Sequence, residues 1–182
     1  IAMGGMGISR FDERRYALNL LDIILGGNMS SRLFNRIRED MGLAYAIKSM
    51  TGFYNDTGVY VIYAGVSPEN AEKCISAVVD ELKKIKEKGV RASELERAKR
   101  FLSSQFLMRL EDNTEYMLWL GEQKISGGRI SGRNEILRKI DSVDSKGILS
   151  MAEELFTSSN FYVSLIGPKA DESEILKTAE SL

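Results

Sequence analysis

The segment "GGNMSSRLFNRIREDMGLAY", Gly26 to Tyr45, packs two glycines, a helix start, several arginines and a tyrosine into one short stretch. Two chemistries fit it. In the first, the glycines and the following helix start present backbone N–H groups to an anion such as a phosphate, although the lysine of a P-loop is missing. In the second, Arg38 near a helix end and Tyr45 at a strand start converge where Gly42 breaks the helix. A phenol donates to the oxyanion that forms when an amide is attacked, and a planar guanidinium grips a carbonyl or carboxylate at two points. Neither group has to titrate. Residue types alone favour a blander reading, because an arginine beside Glu39 is ordinarily a solvated helix charge and a strand tyrosine ordinarily packs in a sheet.

The chain has no histidine and one cysteine, Cys74. That removes the commonest general base, the triad base and the commonest zinc ligand together, and rules out an H-x-x-E-H or H-E-x-x-H helix. Any catalytic zinc must be held elsewhere. The carboxylates around Leu110, Glu111, Asp112 and Glu115 lack EF-hand spacing and read as a solvated loop. Cys74 falls among apolar helix positions and reads as a small buried hydrophobe. Trp119 and the eight methionines read as core or interface filling.

The elements that must position Arg38 and Tyr45 follow from periodicity. Ser9 with Asp12 resembles a capping box before the apolar set Tyr16, Ala17, Leu20, Leu21 and Ile24, which recurs at helical spacing up to Gly26 and Gly27. A second helix is expected from about Ser30 to Asp40, then strands at Leu43 to Phe53 and Gly58 to Val66 joined as a hairpin. Ser67 and Pro68 open a strong helix ending at Gly89. Ser93 with Glu96 suggests another cap, for a helix to about Glu111 that resumes after a break near Asn113. Shorter helices are expected at Asn134 to Ile140 and Asp144 to Phe156, a strand at Phe161 to Gly167 ended by Pro168, and a terminal helix. The expected class is α+β, a mainly antiparallel sheet covered by helices.

Bulk properties narrow the partners. Twenty-five basic against twenty-six acidic residues give a net charge of -1, with no like-charge block that would suit nucleic acid. The apolar runs are too short to cross a bilayer, so no membrane partner is expected. A lone cysteine makes a cytoplasmic setting the mild default. The start at Ile1, inside an apparent strand, suggests an excised piece of a longer chain.

The string "LGGNMSSRLFNRIREDMGLAYAI" resembles the hallmark of the second domain of the pitrilysin/insulinase family of zinc peptidases. The likeness continues through "GISRFDERRYALNLLDIILGG", "AGVSPENAEKCISAVVDELKKIKEKGV", "SELERAKRFLSSQF" and "FYVSLIGP". It implies a single C-terminal-type domain over residues 1–182, facing a similar domain whose H-x-x-E-H helix and distant glutamate hold zinc that this chain does not bind. The family's arginine and tyrosine fall on Arg38 and Tyr45. The implied activity is peptide hydrolysis by the complete protein, with this half gripping and polarising a peptide substrate while strand-edge pairing holds it extended. Two alternatives stay open: an inactive structural or substrate-binding subunit of the same family, and an unrelated anion-binding module built on Gly26 and Gly27.

Overall fold

The computed structural model describes residues 1–127, 129–167 and 172–182. Strands β1 (Ala2–Gly7), β2 (Ala44–Phe53), β3 (Gly58–Val66) and β4 (Tyr162–Ser164) form one sheet in the order β2-β3-β1-β4, with every described pairing antiparallel. Their side chains alternate between two faces. Met3, Ile47, Tyr60, Ile62 and Ala64 point to the buried face, while Met6, Met50, Tyr63 and Tyr162 point to the other, which is exposed.

Helices cover only the first face. Helix α1 (Arg15–Leu25) buries eight of its eleven residues, and α2 (Ala71–Lys88) turns Cys74, Ile75, Val78, Leu82 and Ile85 inward at helical spacing. Each Leu, Ile or Val buried in this way contributes about 1.5–3 kcal/mol. That inward row is strong enough to let α2 carry lysines and glutamates over its outer side. Helices α3 (Ala92–Arg109), α4 (Asn113–Gly127), α5 (Arg133–Asp141), α6 (Ser145–Leu155) and α7 (Glu172–Glu180) complete the fold, with Ile148, Met151 and Leu155 of α6 joining the core. Gly89 ends α2 at φ +64°, a conformation that an L side chain rarely adopts.

Several local expectations shift. Ser9 and Asp12 form a turn ahead of α1, whose first residue is Arg15. Asp12 Oδ1 accepts the Arg14 amide at 2.8 Å, so Ser9 does not cap the helix. Helix α3 starts at Ala92 and its cap involves Glu94, whose carboxylate reaches back to the Arg91 amide at 2.8 Å, in place of Ser93 and Glu96. Six of the eight methionines, Met6, Met29, Met41, Met50, Met108 and Met117, are exposed, leaving Met3 and Met151 in the core. Asp112 caps α4 through the Thr114 and Glu115 amides. The last strand is limited to Tyr162–Ser164, and the expected stop at Pro168 lies outside the described residues. Cys74 is fully buried, and burial pushes its thiol up to about 11, which keeps it a neutral hydrophobe.

Candidate functional site

Arg38 lies on a short helix, Phe34–Asp40, wound with the wider π pitch. Such turns are uncommon and recur at functional positions. Leu33 and Ile37 are fully buried, fastening one side of this π-helix to the core. Arg38 is on the side left out: its guanidinium carbon stands 4.9 Å from the centre of the Phe34 ring, and its Nε is 3.8 Å from Glu39. Among the described residues Arg38 makes no hydrogen bond, and its side chain is 44% exposed. Its donors are therefore unspent.

Three residues join the π-helix to β2. The Met41 amide bonds Arg36 O at 3.0 Å and the Leu43 amide bonds Ile37 O at 2.9 Å, closing the helix end. Gly42 makes that closure at φ +59° with open space around it. Strand β2 then begins with a bulge. Ala44 pairs with Val66 and Ala46 with Gly65, so Tyr45 is an extra residue opposite none. The bulge explains how Ala44 and Ile47, three positions apart, both reach the buried face. It also turns Tyr45 outward, leaving it 75% exposed, and its hydroxyl makes no hydrogen bond among the described residues. Arg38 and Tyr45 thus stand on adjacent elements at one end of the edge strand, each with free donors.

A buried ion pair anchors the π-helix from behind. Arg32, just before it, gives Nε to Glu94 Oε1 at 2.9 Å and Nη2 to Glu94 Oε2 at 2.8 Å, and Nη2 also reaches Gly89 O at 3.2 Å. The Glu94 side chain is 3% exposed. Burial would raise its pKa, but the hydrogen bonds from Arg32, Arg91 and the Arg91 amide outweigh that and hold the carboxyl down to about 2. Farther along, Glu81 pairs with Arg36 at 3.1 Å and Lys84 at 2.7 Å. Sequence reasoning missed both clusters. The available hint was an arginine set between two buried positions, Ser31 and Leu33, but its partner lies sixty-two residues away, beyond any spacing rule.

The glycines of the opening motif are already engaged. The amides of Gly26 and Gly27 both donate to Asp22 O at 2.9 Å, and a side chain on Gly26 would collide with Ser49. The anion-cradle reading therefore loses its two glycine donors. No group of three or more His, Cys, Asp or Glu side chains that could hold a metal ion occurs among the described residues, so the residues present do not fit zinc. No described helix is long and apolar enough to cross a membrane.

The sequence pattern of the family described as "Peptidase M16 inactive domain" matches residues 3–102, a span from β1 into α3 that contains the π-helix, the bulge and the buried pair. This chain belongs to that family. The M16 inactive-type domain is 33% identical over 94% of its length to 37% of an uncharacterized zinc protease of Streptomyces coelicolor, and 30% identical over 94% of its length to 42% of one from Bacillus subtilis. A third, from Rickettsia felis, is 37% identical, with 86% of this chain and 37% of the relative aligned. The chain therefore spans less than half the length of the curated relatives it matches. Among solved structures, a protease from Helicobacter pylori superposes with a TM-score of 0.81 at 21% identity, covering 88% of this chain and 38% of that one. A chain of Complex III2 from Candida albicans gives 0.82 at 14% identity, covering 98% and 45%. At those identities the likeness is one of fold, and it agrees with the α+β class.

Proposed function

We propose that this domain is the half of a zinc-dependent endopeptidase that binds and polarises the peptide, opposite a separate H-x-x-E-H-bearing domain that holds the metal. The supporting observation is the placement of two exposed side chains without hydrogen bonds among the described residues, Arg38 and Tyr45, on adjacent elements at one end of the sheet in an M16 inactive-type domain. Tyr45 donates its hydroxyl proton in a hydrogen bond to the oxygen of the scissile carbonyl. That bond strengthens as negative charge develops, so the residue acts mainly on the transition state. Arg38, its guanidinium resting over the Phe34 ring, offers two parallel N–H groups to a neighbouring carbonyl or to a substrate carboxylate. Activation of the attacking water is assigned to the other domain, and this chain alone is expected to be inactive.

The test uses the complete protein. Tyr45→Phe is expected to lower kcat about a hundredfold with little change in KM, the scale of losing one oxyanion donor. Equal turnover by the variant and the wild type would reject the role. A complete protein without any peptidase activity would favour the inactive-subunit alternative, in which the same surface binds peptide without cleaving it.

A further inference from the structure

A second surface lies beside the π-helix, and nothing in the proposed reaction uses it. A groove of about 760 Å³ runs between the π-helix, the end of α2 and the start of α3. Six cations line it, Arg32, Arg36, Lys84, Lys88, Arg91 and Arg97, against three carboxylates, Asp40, Glu81 and Glu94. The chain as a whole carries -1, so an excess of three positive charges in one groove is a local concentration. Two of the carboxylates are buried and consumed within the wall, Glu94 by Arg32 and Arg91, Glu81 by Arg36 and Lys84. Lys88 and Arg97 have no acidic partner among the described residues, and both are exposed. Lys88 at the end of α2 also suits the helix dipole, but that accounts for neither Arg97 nor the sign of the whole groove.

We infer that this groove is a docking site for an acidic segment of the polypeptide substrate, away from the bond being cleaved. The inference rests on the reading that a peptide is held at Arg38 and Tyr45. Asn35, Arg36 and Asp40 line the groove and share the seven-residue π-helix with Arg38, so the two surfaces are separated by the thickness of one helix. A helix with its side chains is about 10–12 Å across, and an extended peptide covers about 3.4 Å per residue. Acidic residues that reach Lys88 and Arg97 therefore sit about four or more positions from the peptide bond at Tyr45. Charge complementarity at such a rim acts on encounter and ground-state affinity, not on the chemical step.

The direct test is fluorescence anisotropy on the 182-residue protein at low salt. One labelled peptide carries four glutamates, a second has glutamine at those positions, and a single-stranded oligonucleotide serves as competitor. The acidic peptide is expected to bind about tenfold tighter than its glutamine counterpart, with the advantage lost in high salt and in Lys88→Glu/Arg97→Glu. Lys88→Gln/Arg97→Gln, which adds no repulsion, is expected to lose part of it, and thermal melts verify that both variants fold. Equal affinity for the two peptides, or a preference that survives charge reversal, overturns the inference. So does an oligonucleotide that binds more tightly than the acidic peptide through the same two residues. In the complete protein, an acidic tail four or more residues from the cleaved bond is expected to lower KM and leave kcat unchanged. Tyr45→Phe is expected to lower kcat and leave the acidic-peptide affinity intact, so failure of the catalytic reading and failure of the groove are separately visible.

Discussion

Glu94, behind the π-helix, is both buried and bonded by Arg32, Arg91 and the Arg91 amide. Removing one member of a buried pair leaves the other charge stranded, at a cost of about 3–5 kcal/mol. Glu94→Gln is therefore expected to lower the melting temperature sharply, while Glu111→Gln, at an exposed position, leaves it nearly unchanged. The pH dependence has a definite sign. The folded-state pKa of Glu94 is depressed to about 2 from an ordinary 4.5, so its contribution is complete above about 4.5 and disappears as pH falls toward 2. Acid unfolding curves should show a wild-type loss across that window that is smaller in Glu94→Gln. Arg32 was not visible as a partner in the sequence because ion pairs between distant segments leave no periodic trace, whereas Arg38 and Tyr45 were singled out by their place in a motif.

Among the elements, the turn between the π-helix and β2 sets the direction of both exposed side chains. Gly42 holds the left-handed conformation with nothing crowding it, so Gly42→Ala costs only about 1 kcal/mol of backbone strain. The protein is expected to fold, with a small drop in melting temperature and a disproportionate loss of peptidase activity in the complete protein. Parallel melts and kcat measurements check the split, and a proportional loss of both would count against a positioning role for this turn. The helices α1 and α2 and the β2–β3 hairpin were legible because their apolar residues recur at periods that only one element satisfies. The π pitch and the bulge were not. Each adds a residue to an otherwise regular element, and that insertion shows only in hydrogen-bond partners. The two cap assignments failed because Asp12 and Glu94 make the side-chain bonds at those helix starts, to the Arg14 and Arg91 amides, which neither Ser9 nor Ser93 is spaced to reach.

At the scale of the molecule, the sheet is clothed on one face only, and the chain spans 37–42% of its Streptomyces and Bacillus relatives. The lack of histidine in this chain makes a simple prediction. Alone, with zinc added, the chain is expected to leave unfolded peptides intact, and addition of the H-x-x-E-H-bearing domain is expected to start hydrolysis, followed by peptide mass analysis. Cleavage by this chain alone would contradict the division of labour proposed above. The Gly26 side-chain gap has one last consequence. Strand β2 ends the sheet, and its outward amide at Ser49 donates to Gly26 O at 3.1 Å, while the Ser49 hydroxyl bonds Asp22 O. The end of α1 is thus a clasp across the middle of the rim, and Arg10 covers Phe53 O toward its end at 3.0 Å, which denies a second strand a continuous track there. Fibrillar stacking along this rim is interrupted at its midpoint, and whatever main-chain pairing the rim still permits is confined to the short stretches on either side of the clasp.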